Sequence, residues 1–220
     1  KQPFAQAGGG TPSFSWLEKS PVNFAWLVTS SGSFCKLEEV AIFHLNPGRE
    51  RAVLIRLCPD VLTGDASDGV ADWLERISRT WALPVRGYFL VSGDDLSEAS
   101  RVLGEDTSWN NWGFRTLSKV PLLFSILREH LTTNLSLGEI FRMTSFVLGL
   151  REDQKIEIDP EGAGNAIGNL CSDEKIKDEG AGILVLNGTV EAGLATKAAR
   201  WVRNLGGTVL NAGNPTQIDY

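Results

Sequence analysis

Ile183-Leu184-Val185-Leu186-Asn187-Gly188-Thr189-Val190-Glu191-Ala192-Gly193-Leu194-Ala195 runs from an apolar stretch through a polar turn into a helix, and Gly206-Gly207 ends that helix. Ile183 to Leu186 suits a short buried strand. Asn187-Gly188-Thr189 is turn and capping chemistry. Leu194, Ala198, Val202 and Leu205 fall on one helical face, and Ala195 and Ala199 keep the helix narrow enough to pack closely on a sheet. Gly206 suits a left-handed cap. Val209-Leu210 reads as a second strand and Gln217-Ile218-Asp219-Tyr220 as the start of a third. The order strand, helix, strand, strand is half of a small α/β sandwich. A glycine turn between strand and helix is also compatible with a phosphate loop, but neither GxGxxG nor GKS/T is present, and turn chemistry accounts for the residues.

The whole chain has 220 residues, room for one large or two small domains. Its hydrophobic share of 42% and charged share of 22% are those of a globular protein with a core. The net charge is −6, and Lys and Arg are scattered without a run, which argues against a nucleic-acid partner. No apolar stretch reaches the ~18 residues of a membrane span. The chain begins at Lys1 with a polar, Gly-rich stretch, Ala5 to Pro12, which reads as a linker. Cys35, Cys58 and Cys171 have no metal-ligand spacing and read as small buried hydrophobes, with Cys35 and Cys58 flanking a hairpin.

Ahead of the C-terminal piece, Val22 to Val28 is strand-like. Val40 to Leu45 and Ala52 to Leu57 are two more apolar runs, joined by Asn46-Pro47-Gly48-Arg49-Glu50, and predict an antiparallel hairpin. Their near-continuous apolar character predicts cover on both faces. Val70, Trp73, Leu74, Ile77 and Trp81 keep helical spacing, and Pro84 closes that helix. Tyr88 to Val91 reads as a strand and Asp94-Asp95 as a helix start. A helix is predicted over 117–131. Thr132 to Ser136 reads as a link, with Ser136 and Glu139 as a capping box for a helix ending near Gly149. Ile156 to Ile158 alternates like a short strand. Pro160 to Gly180 reads as a linker with one small apolar cluster.

The segment from Val185 to Tyr220 resembles the C-terminal domain found behind LytR-CpsA-Psr (LCP) proteins: a strand ending in Asn-Gly-Thr, then Gly193-Leu194-Ala195, a small-residue helix, Gly206 and a strand at Val209. The family domain continues with another helix, so the resemblance is to an incomplete copy. In front of it, the stretch from Glu38 to Asp60 resembles the first hairpin of the LCP catalytic domain. Leu83 to Leu96 and Phe114 to Phe141 resemble its later segments in the same order. The implied fold is α/β, a mixed and mainly antiparallel sheet flanked by helices, plus a small C-terminal α/β domain. The divisions are a tail or linker over 1–20, an LCP-like domain over 21–160, a linker over 161–181 and the C-terminal domain over 182–220.

LCP enzymes move a phosphorylated glycopolymer from a polyprenyl diphosphate to peptidoglycan outside the membrane, usually with Mg²⁺. Arginines clamp the diphosphate, and carboxylates hold the cation against phosphate oxygens. Carried onto this sequence, the resemblance implies Arg115 and Asp60 as catalytic residues, Arg56 and Arg115 as substrate-binding residues, and Glu38 and Asp60 as Mg²⁺ ligands. The family's arginine before Asp60 is replaced by Pro59, which carries neither charge nor N–H. A second arginine and paired glutamines are replaced by Ser118, Lys119 and Val120. The expectation is an extracytoplasmic cell-envelope protein, anchored by a membrane segment upstream of Lys1, with reduced or lost catalysis and a binding or scaffolding role. Its partner would be envelope polymer or a polyprenyl-diphosphate-linked glycan, with a protein partner for the C-terminal domain. The alternative is an active Mg²⁺-dependent phosphotransferase.

Overall fold

A computed structural model describes residues 20–30, 36–59, 69–103, 131–159, 161, 167–168 and 171–215. Its centre is β1 (Val22–Thr29), all eight residues of which are buried. β1 pairs antiparallel with β2 (Leu37–Asn46), which pairs antiparallel with β3 (Arg51–Leu57). On its other side β1 pairs in parallel with β4 (Gly87–Ser92). The edges are β5 (Thr132–Thr133), antiparallel to β4, and β6 (Lys155–Ile158), parallel to β3. The six-stranded order is β5-β4-β1-β2-β3-β6.

Both faces of this sheet are covered, as the unbroken apolar runs require. One face carries Phe24, Trp26, Phe43, Leu54 and Phe89. It packs under α2 (Gly93–Leu103) through Leu96 and Ala99, and under α3 (Leu137–Gly149) through Ile140, Met143 and Val147. Trp26 and Phe89 meet with ring centroids 5.6 Å apart. The other face carries Leu27, Ile42, Val53, Ile55 and Leu90 and packs under α1 (Val70–Trp81) through Val70, Trp73 and Ile77. The predicted capping box of α3 is present: the Ser136 hydroxyl accepts from the Glu139 N–H, and the Glu139 carboxylate accepts from the Ser136 N–H.

Two segments differ from the sequence reading. The stretch read as a link before Ser136 contains β5, whose edge is extended by a side chain: Asn134 accepts from the Tyr88 N–H and donates to the Arg86 carbonyl. The stretch read as a linker over 161–181 places Ile167 and Cys171 in the core under the α1 face. It also forms α4 (Glu174–Glu179), whose first turn is capped by Asp173. The helix predicted over 117–131 lies outside the described residues, apart from Leu131, which is buried.

The C-terminal unit has β7 (Gly182–Leu186), α5 (Leu194–Asn204) and β8 (Thr208–Gly213), with β7 and β8 parallel. Here β7 is only half covered: Leu184 and Leu186 are exposed, as is Leu210 on β8. The buried stripe of α5 is Ala195 and Ala199, while Leu194 and Ala198 face outward. Close approach to a two-stranded sheet selects the alanines over the leucine. The predicted cap is a full Schellman motif, with Gly207 N–H donating to the Val202 carbonyl and Gly206 N–H to that of Arg203. Gly206 has φ 100°, and a Cβ there would sit 2.9 Å from the Asp173 carbonyl oxygen.

This unit is fixed to the first domain. Asn204, at the end of α5, donates through Nδ2 to the carbonyls of Trp81 and Ala82 at 2.9 and 3.2 Å. Those are carbonyls at the C-terminal end of α1, which otherwise lack an intrahelical partner. Asn204→Leu leaves them buried and unpaired and is expected to cost about 1–3 kcal/mol in urea denaturation. Gly206→Ala, strained at positive φ and clashing with backbone, is expected to cost at least ~1 kcal/mol. Stability unchanged in both variants would mean that the C-terminal unit is not part of the cooperative fold.

Candidate functional site

The pairing directions make β1, β3, β4 and β6 point one way, with β2 and β5 opposed. The carboxyl ends of four strands therefore open at one end of the sheet. In open α/β sheets this is where ligands bind, because the connections that leave the strands diverge there. The described residues at this end include Lys36, Glu38 and Glu39 around the start of β2, Arg56 and Cys58 at the end of β3, Ser92 to Asp95 across the junction of β4 and α2, Glu157 on β6 and Asp159 just after it.

A β-bulge shapes the start of β2. Val28 faces Glu39, but the next residue, Thr29, faces Leu37, so Glu38 is the extra residue. The bulge returns Leu37 to the apolar layer beneath α1 and leaves Glu38 exposed. Glu39 lies on the opposite face, with Val28 and Ala41. Its Oε2 is buried and has no hydrogen-bond partner among the described residues. Burial, reinforced by the Glu38 charge, pushes the Glu39 carboxyl up to about 7. Sequence reading singled out Glu38 and passed over Glu39. The signal was parity, since Glu39 shares its period-2 face with Ala41 and Phe43.

Arg56 sits on the same face, opposite Ala41. Its guanidinium is largely shielded and donates to Glu157 Oε2 at 3.1 Å and to Asp159 Oδ1 at 3.3 Å. The N-terminus of α2 at this end is also served internally. The Ser92 hydroxyl accepts from the Asp95 N–H and donates to the Asp95 carboxylate, and Asp94 adds a second negative charge to the first turn. Among the described residues, the sheet end thus presents Glu38, Glu39, Asp94, Asp95, Glu157 and Asp159 against Lys36 and Arg56.

Asp60 and Arg115, the expected catalytic pair, lie outside the described residues, as does Cys35. Cys171 is a free thiol, and burial pushes it up to about 12. Whether Mg²⁺ fits can be asked of the residues in place. Among the described residues no group of three His, Cys, Asp or Glu could hold a metal ion. Glu38 stands outward on the bulge, and Glu39 offers one buried oxygen where Mg²⁺ takes an octahedral set. The described carboxylates do not fit the cation by themselves.

At the level of sequence, neither a protein-family model nor a curated protein matches the chain. Solved structures do match. The Bacillus subtilis transcriptional regulator yvhJ aligns over 64% of this chain and 82% of its own, at 10% identity and a TM-score of 0.53. The transcriptional regulator EF0465 of Enterococcus faecalis aligns over 87% and 90%, at 11% identity and a TM-score of 0.52. Protein gbs0355 of Streptococcus agalactiae aligns over 68% and 80%, at 12% identity and a TM-score of 0.51. At such identities the likeness is one of fold, a mixed sheet flanked by helices.

The Glu39 shift has a measurable consequence. A carboxyl with a folded value near 7 and an ordinary value of 4.5 binds its proton more tightly in the folded chain. Its contribution is present below pH 4.5 and is lost as pH rises through 7. Glu39→Gln is expected to remove that part of the pH dependence, so the variant gains stability relative to wild type above pH 7. Parallel stability–pH curves for the two proteins would refute it.

Proposed function

We propose that the chain is an extracytoplasmic cell-envelope protein on an LCP-like fold, with reduced or lost transferase chemistry and a binding or scaffolding role toward envelope polymer. The observation that carries this reading is the engagement of Arg56. A glycopolymer transferase of this kind needs arginines presented to a diphosphate. Here Pro59 stands where the resemblance asks for one, and the nearest arginine on the same strand is held by Glu157 and Asp159. A diphosphate would have to displace both carboxylates and enter an end that also carries Glu38, Glu39, Asp94 and Asp95. Each like charge within ~4 Å of a phosphate opposes it by about 1 kcal/mol even in bulk water.

The polymer-binding role is favoured over an unrelated one by the match in order between the chain and the LCP segments, and by the fold likeness. A protein partner for the C-terminal unit is the companion expectation. The competing reading, an active phosphotransferase with Arg115, Asp60 and Mg²⁺, differs in one measurable respect, which is turnover.

Sedimentation with purified peptidoglycan, with and without its anionic glycopolymer, tests binding. A polyprenyl-diphosphate-linked glycan analogue with Mg²⁺ tests turnover. The expected result is co-sedimentation with polymer and no release of polyprenyl diphosphate above background. Turnover abolished by Arg115→Ala would establish the transferase instead. Failure to sediment with either preparation would remove the polymer-binding role.

A further inference from the structure

The end of the sheet remote from the strand carboxyl termini is closed by buried polar groups. His44 on β2 is fully buried, on the α1 side of the sheet, beside Asn23 of β1. Asn23 Nδ2 donates to the Pro84 carbonyl at 2.9 Å, so its Oδ1 is the acceptor for His44 Nδ1 at 2.8 Å. This network assigns the proton of neutral His44 to Nδ1. Nε2 is then a bare acceptor, and it has no partner among the described residues.

Two residues on, and on the same face, Asn46 Nδ2 donates to the Ser172 carbonyl at 3.5 Å. Ser172 is fully buried, and its hydroxyl also lacks a partner among the described residues. Ser172 belongs to the segment that carries Cys171 into the core and leads through α4 to the C-terminal unit. The Asp173 N–H of that segment donates to the Leu205 carbonyl at 3.0 Å. Among the described residues, the cover over this end includes Cys171, Ser172 and the Asn204 contact with α1.

We propose that His44 is the latch of a pH-operated clasp. While His44 is neutral, the segment carrying Cys171 and Ser172 stays closed on the sheet together with the C-terminal unit. When His44 takes a proton, they open as a unit.

The argument is one of geometry and charge. A second proton on the ring would put an N–H at Nε2, where the described residues offer no acceptor, in a site shut from water. Among the described residues, Arg49 of the β2–β3 turn acts on the ring directly, and the other ionisable groups at this end are Glu50, Arg51 on the same face of β3, Arg86 ahead of β4, and Cys171 and Asp173 of the covering segment. Arg49 adds repulsion to a ring that burial already disfavours as a cation, and together they lower it from 6.5 to about 4. The closed state therefore excludes a proton that the open state accepts. Closure is complete above pH 6.5 and weakens as pH falls toward 4, about tenfold per pH unit and roughly 300-fold in all. The described residues of the cover meet the sheet at this end through Cys171 and the 3.5 Å Asn46–Ser172 bond, whereas β1 to β3 are paired along their length and buried on both sides, so the cover yields first.

Hydrogen exchange of the full chain followed from pH 7 to pH 4, corrected for intrinsic rates, tests this. Protection of the peptide around Cys171 and Ser172 and of the α1 C-terminus is expected to fall about tenfold per unit below 6.5, while β1 to β3 stay protected. In His44→Gln, a neutral residue that does not titrate, that loss is expected to disappear. Should the variant not fold, nitrogen chemical shifts of the wild-type histidines, His44 and His130, supply the second readout: His44 is expected to become protonated only as the segment loses protection. The clasp is overturned if the segment and β1 to β3 lose protection together, if no loss occurs above pH 4, if His44→Gln opens over the same pH range, or if His44 titrates near 6.5 with the segment still closed.

Discussion

Burial of β1 on both faces is the constraint from which the architecture follows. A strand with Phe24 and Trp26 to one side and Ala25 and Leu27 to the other cannot face water on either side. It must be flanked as well as covered, because buried backbone N–H and C=O groups need partners. The hairpin partner β2 supplies one flank. The other has to be a strand that comes from elsewhere, and β4 enters in parallel. A parallel partner needs a crossover, and α1 between β3 and β4 is that crossover. Its apolar stripe of Val70, Trp73 and Ile77 then covers one face. The other face is left for α2 and α3, with Leu96, Ile140 and Met143 reaching the Phe24–Trp26–Phe89 layer. A three-layer domain is what one doubly buried strand demands of its neighbours.

Those elements were legible because their signals are strong and local. Unbroken apolar runs at Val40 to Leu45 and Ala52 to Leu57, helical spacing from Val70 to Trp81, and the Ser136–Glu139 capping box each have few alternatives. The illegible elements are small or depend on a partner. β5 is two residues long and exists because β4 needs an edge. α4 has six residues and an Asp173 cap within a stretch that composition alone reads as linker. The rotation of α5, which turns Ala195 and Ala199 inward in place of Leu194 and Ala198, depends on how closely the helix must approach only two strands. The resemblance to LCP proteins gave the order of segments, and the solved structures agree in fold.

The site was partly legible for a similar reason. Alignment by motif counts residues along the chain, and a bulge changes which of them points where. With Glu38 as the bulged residue, the half-buried carboxyl on the inner face is Glu39. Arg56 could be placed on its strand from sequence, but its partners come from β6 and the residue that follows it, about a hundred residues downstream. Pairing of β3 with β6 is a long-range event, so no local reading of Arg56 could show that its guanidinium is already engaged.

The two ends of the sheet divide the work between them. At the carboxyl ends the described side chains are charged, partly wet and predominantly acidic, suited to contact with something outside the fold. At the other end the buried polar side chains described include an imidazole and amides that are tied to backbone carbonyls: Asn23 to Pro84, Asn46 to Ser172, Asn204 to Trp81 and Ala82. Such bonds add modest net stability. Their larger effect is directional, because an amide that must meet a particular carbonyl tolerates few docking geometries, whereas Ile167 and Cys171 alone would tolerate several. The C-terminal unit is therefore held in one orientation by polar groups within an apolar contact. On the proposed clasp, that makes its attachment sensitive to the proton on His44, two residues from Asn46 on the same face of β2.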